Sequence, residues 1–160
     1  MVRRLRMAES RRRSGTAAEA QGKGVTMTST DSQDQSLYQR LGGYDAIAAA
    51  TDDLLGRLQS DPRLKDFWKG ASVEKRRKAR QLIVDYMVEA AGGPAFYTGA
   101  DMRQAHAGMR IDDEDWSVFM RHATATLDHF GVPERERGEV LGFFSSLRSD
   151  VVEVPAPVTA

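Results

Sequence analysis

Residues 92–116 read GGPAFYTGADMRQAHAGMRIDDEDW. Within this stretch Phe96–Arg110 is short, punctuated by glycine and not strongly amphipathic, unlike the sequence on either side. It holds His106 between two glycine breaks, Gly99 and Gly108, with Met102 four residues before it and Ile111 after it. Working outward, two long segments with one apolar face precede it and two follow it, all at helical spacing. No segment shows the strict alternation or β-branched clustering of a strand. The expected fold is therefore all-α, a helical sandwich with something to fill between its layers.

Upstream, a short helix over Leu37–Leu41 ends at Gly42-Gly43, where left-handed backbone is cheap. The next helix, Tyr44–Gln59, puts Ile47, Ala50, Leu54 and Leu58 on one stripe and stops before Asp61-Pro62. Its interior Gly56 costs about 1 kcal/mol against Ala, which predicts close packing against another helix there. A third helix opens at the N-cap Ser72 and carries Ala79, Leu82, Ile83, Tyr86, Met87 and Ala90 before Gly92-Gly93-Pro94 ends it. Its other face, Lys75–Lys78 with Arg80, is a solvated basic ridge. Downstream, a helix follows Asp112, with Asp113, Glu114 and Asp115 placed favourably for its dipole and a stripe of Trp116, Phe119, Met120, Ala123, Leu127 and Phe130. Gly131 stops it, and Pro133 starts a last helix with the stripe Val140, Phe143, Phe144, Leu147 and Val151.

A chain of 160 residues suits one domain. Its 23 basic and 23 acidic residues are unevenly spread, because residues 1–26 carry seven Lys/Arg and two Asp/Glu, leaving a mildly acidic remainder. That balance argues against nucleic acid as a partner of the folded part. No Cys is present, so disulfides, thiolate ligands and cysteine nucleophiles are excluded. No apolar run approaches the roughly 18–20 residues of a membrane span, and the Arg-rich start lacks the apolar stretch of a secretory signal, so a cytoplasmic location is expected. Residues 1–35 are short of large apolar side chains and are expected to be a disordered extension, as are residues 154–160 with Pro155 and Pro157. The domain is thus bounded at 36–153. Arg3, Arg4, Arg6 and Arg11–Arg13 would suit a polyanion- or membrane-binding arm, but Met27 before a plausible N-terminus counts against such an arm, since the upstream part then reads as a misassigned start.

Three histidines are candidates for chemistry. His122 and His129 lie seven apart on one helix, about 10 Å along its axis and off the centre of its apolar stripe, so they belong at an edge or the surface and are too far apart to share a metal. For His106 the pattern leaves two readings open, a metal ligand or a satisfied structural histidine. The double glycines follow no strand and open no phosphate loop. The carboxylates at 112–115 fit capping better than metal binding, and no Ser or Thr is placed as a nucleophile with a histidine base.

The sequence also resembles a known family, the truncated haemoglobins, most closely their group I. The similarity covers about Ser36 to Glu153. SLYQRLGGYDAIAAATDDLLGRLQSDPRLKDFW is similar to the family's opening with its double glycine; the stretch at 92–116 is similar to its middle, and LDHFGVPERERGEVLGFFSSLRSDVVE to its close. The glycine breaks, the YTG turn, the DM four residues before a His and the G-V-P turn occur in order and at near-family spacing.

The resemblance implies a globin-like 2-on-2 helical sandwich around haem b, with His106 as the protein ligand to iron. A neutral imidazole is a good iron ligand and leaves the opposite coordination position to a diatomic gas such as O2, CO or NO. Its other ring nitrogen should be oriented by a carbonyl or water. Carried over by position, Phe67 and Trp68 cover the haem face at a corner, while Tyr97, Met102, Ile111 and Phe119 line the proximal side and haem edge. Tyr86 and Met87 fall on the distal helix. Where group I members commonly carry Tyr and Gln as hydrogen-bond donors to bound dioxygen, this chain places Leu55 and Ile83, with Ala79 one turn before Ile83. A register slip of two would bring in Gln81 instead, but Ile83 shares the apolar stripe of Ala79 and Met87 while Gln81 faces away.

The expected function is reversible binding of dioxygen or another diatomic gas at five-coordinate iron, for oxygen transport, storage or sensing, rather than catalysis. The alternatives are a nitric oxide dioxygenase, for which a separate reductase would be required, and a haem-free globin-like interaction module.

Overall fold

The computed structural model describes residues 35–154, and the disorder expected for the N-terminal extension and for residues 155–160 falls on residues outside that range, apart from Gln35. Among the described residues the elements are α1 (Leu37–Arg40), α2 (Gly43–Ser60), a 3-10 turn (Lys65–Trp68), α3 (Val73–Ala90), α4 (Met102–His106), α5 (Asp113–His129), α6 (Glu134–Ser146) and α7 (Arg148–Val151), with no strand. The all-α expectation holds.

Local chemistry sets the helix starts. Ser36 and Gln39 form a capping box on α1, Ser72 accepts the Lys75 N–H at the start of α3, and Asp112 and Asp115 form a second capping box on α5. The acidic run at 112–115 is therefore a helix start, and Arg63 ties it to the preceding corner through Asp112, Glu114 and Asp115.

The layers are α2 with α3 and α5 with α6, joined where α2 crosses α5. The buried apolar residues form three separate clusters. Leu54, Leu58, Leu64, Val118, Ala123 and Phe144 bind α2 to the second layer. Ile47, Ala48, Val84, Val88 and Ala91 bind α2 to α3. Ile111, Trp116 and Val151 bind the α4–α5 connection to the C-terminal end. A core split in this way leaves a gap between the layers.

Three expectations are corrected. Gly56 is exposed, and a Cβ there would meet nothing within 4 Å, so it faces solvent rather than a packed helix. The last helix is broken at Leu147, whose N–H turns to Phe144 O at 2.9 Å while the Ser146 hydroxyl donates to Phe143 O at 2.6 Å; this tightened turn starts α7 in a new direction. Val154 is not loose chain: it forms a parallel bridge with Asp112 and donates its N–H to Ile111 O at 3.2 Å.

Candidate functional site

Between the layers lies a cavity of about 640 Å³. Its wall draws side chains from every helix, and all twelve residues singled out from the sequence, His106, Phe67, Trp68, Met102, Tyr97, Ile111, Phe119, Tyr86, Met87, Leu55, Ala79 and Ile83, lie on it. Gln81 does not. Its amide donates to the Tyr44 hydroxyl at 2.9 Å and to Asp85 at 2.8 Å on the outer face of α3, so the register that places Ile83 inward is the observed one.

On one side, α4 presents His106. The helix begins at Asp101, whose carboxylate accepts the Gln104 N–H at 2.8 Å. The approach to it depends on Gly99, because a Cβ there would sit 2.2 Å from the Tyr97 hydroxyl, which donates to Ala100 O at 2.6 Å. His106 is half-buried, and its Nδ1 lies 2.8 Å from Met102 O. A carbonyl only accepts, so Nδ1 carries the hydrogen and Nε2 of the neutral ring keeps its lone pair. That is the electronic state of a metal-ligating imidazole oriented by a backbone carbonyl.

Elsewhere on the wall, Leu55 from α2 and Ala79 and Ile83 from α3 supply no side-chain hydrogen-bond donor. The wall carries a chain of aromatic rings. Trp116 meets Phe119 with ring centroids 5.1 Å apart, Phe119 meets Phe144 at 5.3 Å, Phe144 meets Phe143 at 5.9 Å, Phe143 meets Tyr86 at 5.8 Å, and Tyr86 meets Tyr97 at 5.0 Å. Burial pushes the Tyr86 and Tyr97 phenols up, which keeps both neutral at physiological pH. Trp116, Phe143 and Phe144 carried no site reading in the sequence; their place on the apolar stripes was the available signal.

The other histidines point elsewhere. His129 is exposed against Phe130, with ring centroids 5.1 Å apart. His122 is more sheltered than an edge position suggests, because its Nε2 pairs with Asp61 at 2.8 Å across the α2–α5 corner. Neither lines the cavity.

Among the described residues no group of three or more His, Asp or Glu side chains is placed to hold a metal ion. A metal at His106 therefore needs most of its ligands from a non-protein group. A largely apolar cavity with one lone-pair imidazole fits a flat apolar macrocycle carrying its own iron.

Comparison with known proteins agrees with this chemistry. The bacterial-like globin family model matches residues 36–153. A group 1 truncated haemoglobin from Mycolicibacterium paratuberculosis is 32% identical over 116 residues, spanning 72% of this chain and 83% of that one. The crystal structure of truncated haemoglobin from Tetrahymena pyriformis, Fe(III) form, matches with a TM-score of 0.68 at 27% identity, over 74% of this chain and 98% of that one. The 2/2 haemoglobin from Synechococcus, solved in the cyanomet state with covalently attached haem, matches with a TM-score of 0.67 at 27% identity, over 74% and 98%. The sandwich, the cavity and these relatives converge on haem b as the cofactor, and the chain belongs to the bacterial-like globin family as a group I truncated haemoglobin, a haem protein of the class that binds diatomic gases.

Proposed function

We propose that this chain binds dioxygen or a related diatomic gas reversibly, with His106 as the protein ligand to a five-coordinate haem iron and an apolar wall on the gas side. Haem b, when bound, would supply an iron centre able to take a diatomic gas. His106 holds its ring through Met102 O and offers Nε2. Phe67, Trp68, Met102, Tyr97, Ile111, Phe119, Tyr86 and Met87 shield the group from water, and Leu55, Ala79 and Ile83 face the gas.

The observation that carries this reading is the one histidine on the wall of a largely apolar cavity, its Nδ1 held by Met102 O. Carriage, storage or sensing suits such a wall better than nitric oxide oxidation, which would also draw on a separate reductase. Among the described residues no helix is long and apolar enough to cross a membrane. The test is the absorption spectrum of the protein loaded with hemin, with and without dithionite and carbon monoxide. A Soret band that responds to carbon monoxide and collapses in His106→Ala is expected. Protein that stays colourless, or keeps its band in His106→Ala, overturns the reading and favours a haem-free module or another ligand.

A further inference from the structure

We propose that Glu153 is a positioning residue for His106, holding the imidazole's orientation through a carboxylate clamp on the backbone that leaves α4. The inference rests on the reading of His106 as the iron ligand. α4 is only five residues long, Met102–His106, so it cannot hold its own geometry and depends on anchors at its two ends. The Asp101 cap is the first anchor. The second is two residues past His106, where the chain turns left-handed at Gly108 (φ 81°) and again at Arg110 (φ 57°).

Arg110 is the only non-glycine residue with positive φ among the described residues, a conformation that costs free energy and persists only where its surroundings enforce it. The enforcing group is the Glu153 carboxylate. Its Oε1 accepts the Gly108 N–H at 2.7 Å and its Oε2 accepts the Arg110 N–H, so each oxygen holds one side of the turn. Backbone N–H groups wound in this way make a concavity suited to an anion. They hold the Glu153 carboxyl below the usual glutamate range, with the charge of Arg110 adding to the effect.

The main chain of Glu153 and Val154 completes the clamp by donating to Ile111 O at 2.9 and 3.2 Å. The neighbouring Arg103–Asp150 pair also links α4 to α7, but it is largely exposed and contributes little.

The test uses the ferrous, ligand-free holoprotein and reads the iron–imidazole stretching band by resonance Raman, together with amide hydrogen exchange. Glu153→Ala is expected to shift or broaden the band and to speed exchange at Gly108 and Arg110 roughly ten- to a hundredfold, as loss of hydrogen bonds to a charged acceptor implies. Glu153→Gln keeps one acceptor oxygen and should fall between; it also carries the test if Glu153→Ala does not fold. Asp150→Ala, which breaks only the exposed pair, should leave the band in place. An unmoved band in both Glu153 variants, or an equal shift in Asp150→Ala, overturns the proposal. His106→Gly with and without added imidazole reports separately on the ligand, since a band that survives without imidazole overturns the reading of His106 itself.

Discussion

Tyr86 on α3 and Tyr97 on the segment before α4 meet edge to face, with ring centroids 5.0 Å apart and planes inclined by 68°. This contact joins α3, the helix that carries Ala79 and Ile83 on the cavity wall, to the segment that leads into α4 and His106. Tyr97 is held in turn by its hydroxyl on Ala100 O and by its N–H on the Glu89 carboxylate at 3.1 Å. Tyr97 is thus tied to α3 twice, by its ring on Tyr86 and by its N–H on Glu89.

Gly99→Ala should break the ring contact. The new methyl would fall 2.2 Å from the Tyr97 hydroxyl and 2.4 Å from the ring carbon bearing it, so the ring must move off Tyr86. Overpacking of this kind costs about 1–3 kcal/mol, and each kcal/mol lowers the melting temperature of a domain this size by roughly 4 °C. Thermal unfolding and the rate of hemin loss to an acceptor protein should both worsen. Wild-type values for both would show that the ring contact does not matter.

Ile83→Gln should slow dioxygen release. The apolar wall denies the partly anionic bound gas a hydrogen bond worth about 1–2 kcal/mol, which is roughly tenfold or more in affinity. A glutamine at 83 restores a donor on the inward face of α3, where Gln81 on the outer face cannot reach. Stopped-flow release should be fast in the wild type and about tenfold slower in the variant, with carbon monoxide release much less affected. A slow wild-type rate would mean that a donor other than residue 83 serves the pocket.

A bis-histidine iron should not form. His122 is committed to Asp61, His129 faces solvent beside Phe130, and neither lines the cavity. The ferric and ferrous spectra without added ligand should lack low-spin bis-imidazole bands; their presence would require α5 to reorganise.

The helices were legible in the sequence because they rest on spacing, whereas the residues of the cavity wall came from the resemblance to the family laid over those apolar stripes. Ala79, Ile83 and Met87 repeat at four residues, a stripe that predicts burial in a helix. Gly56 misled because a helical glycine signals close approach only if a neighbour is present, and that is a tertiary fact. The break at Leu147 was hidden because the apolar stripe runs on through it to Val151 while serine hydroxyls compete for the carbonyls beneath. Glu153 was invisible for a related reason. Its partners are backbone N–H groups more than forty residues away, and backbone groups leave no mark on side-chain pattern.

The cavity's other end gives a pH prediction. Arg40 on α1 lines the cavity and binds both Glu136 and Glu139 on α6, through Nη1 to Glu136 and through Nη1 and Nη2 to Glu139. The guanidinium holds both carboxyls below the usual glutamate range. Since the unfolded chain takes up protons near pH 4.3, about the free glutamate value, and the folded chain only at lower pH, stability contributed by this triad is fully present above that value. It is lost as pH falls through the lowered values of the folded state. The melting temperature should therefore drop on acidification below about pH 5, and Glu136→Gln should lower it at pH 7 while flattening the acid slope. Because Glu136 is only 8% exposed, it should matter more than Glu139, so Glu139→Gln should flatten the slope less. An acid slope that is unchanged in Glu136→Gln would mean that the pair with Arg40 adds no net stability.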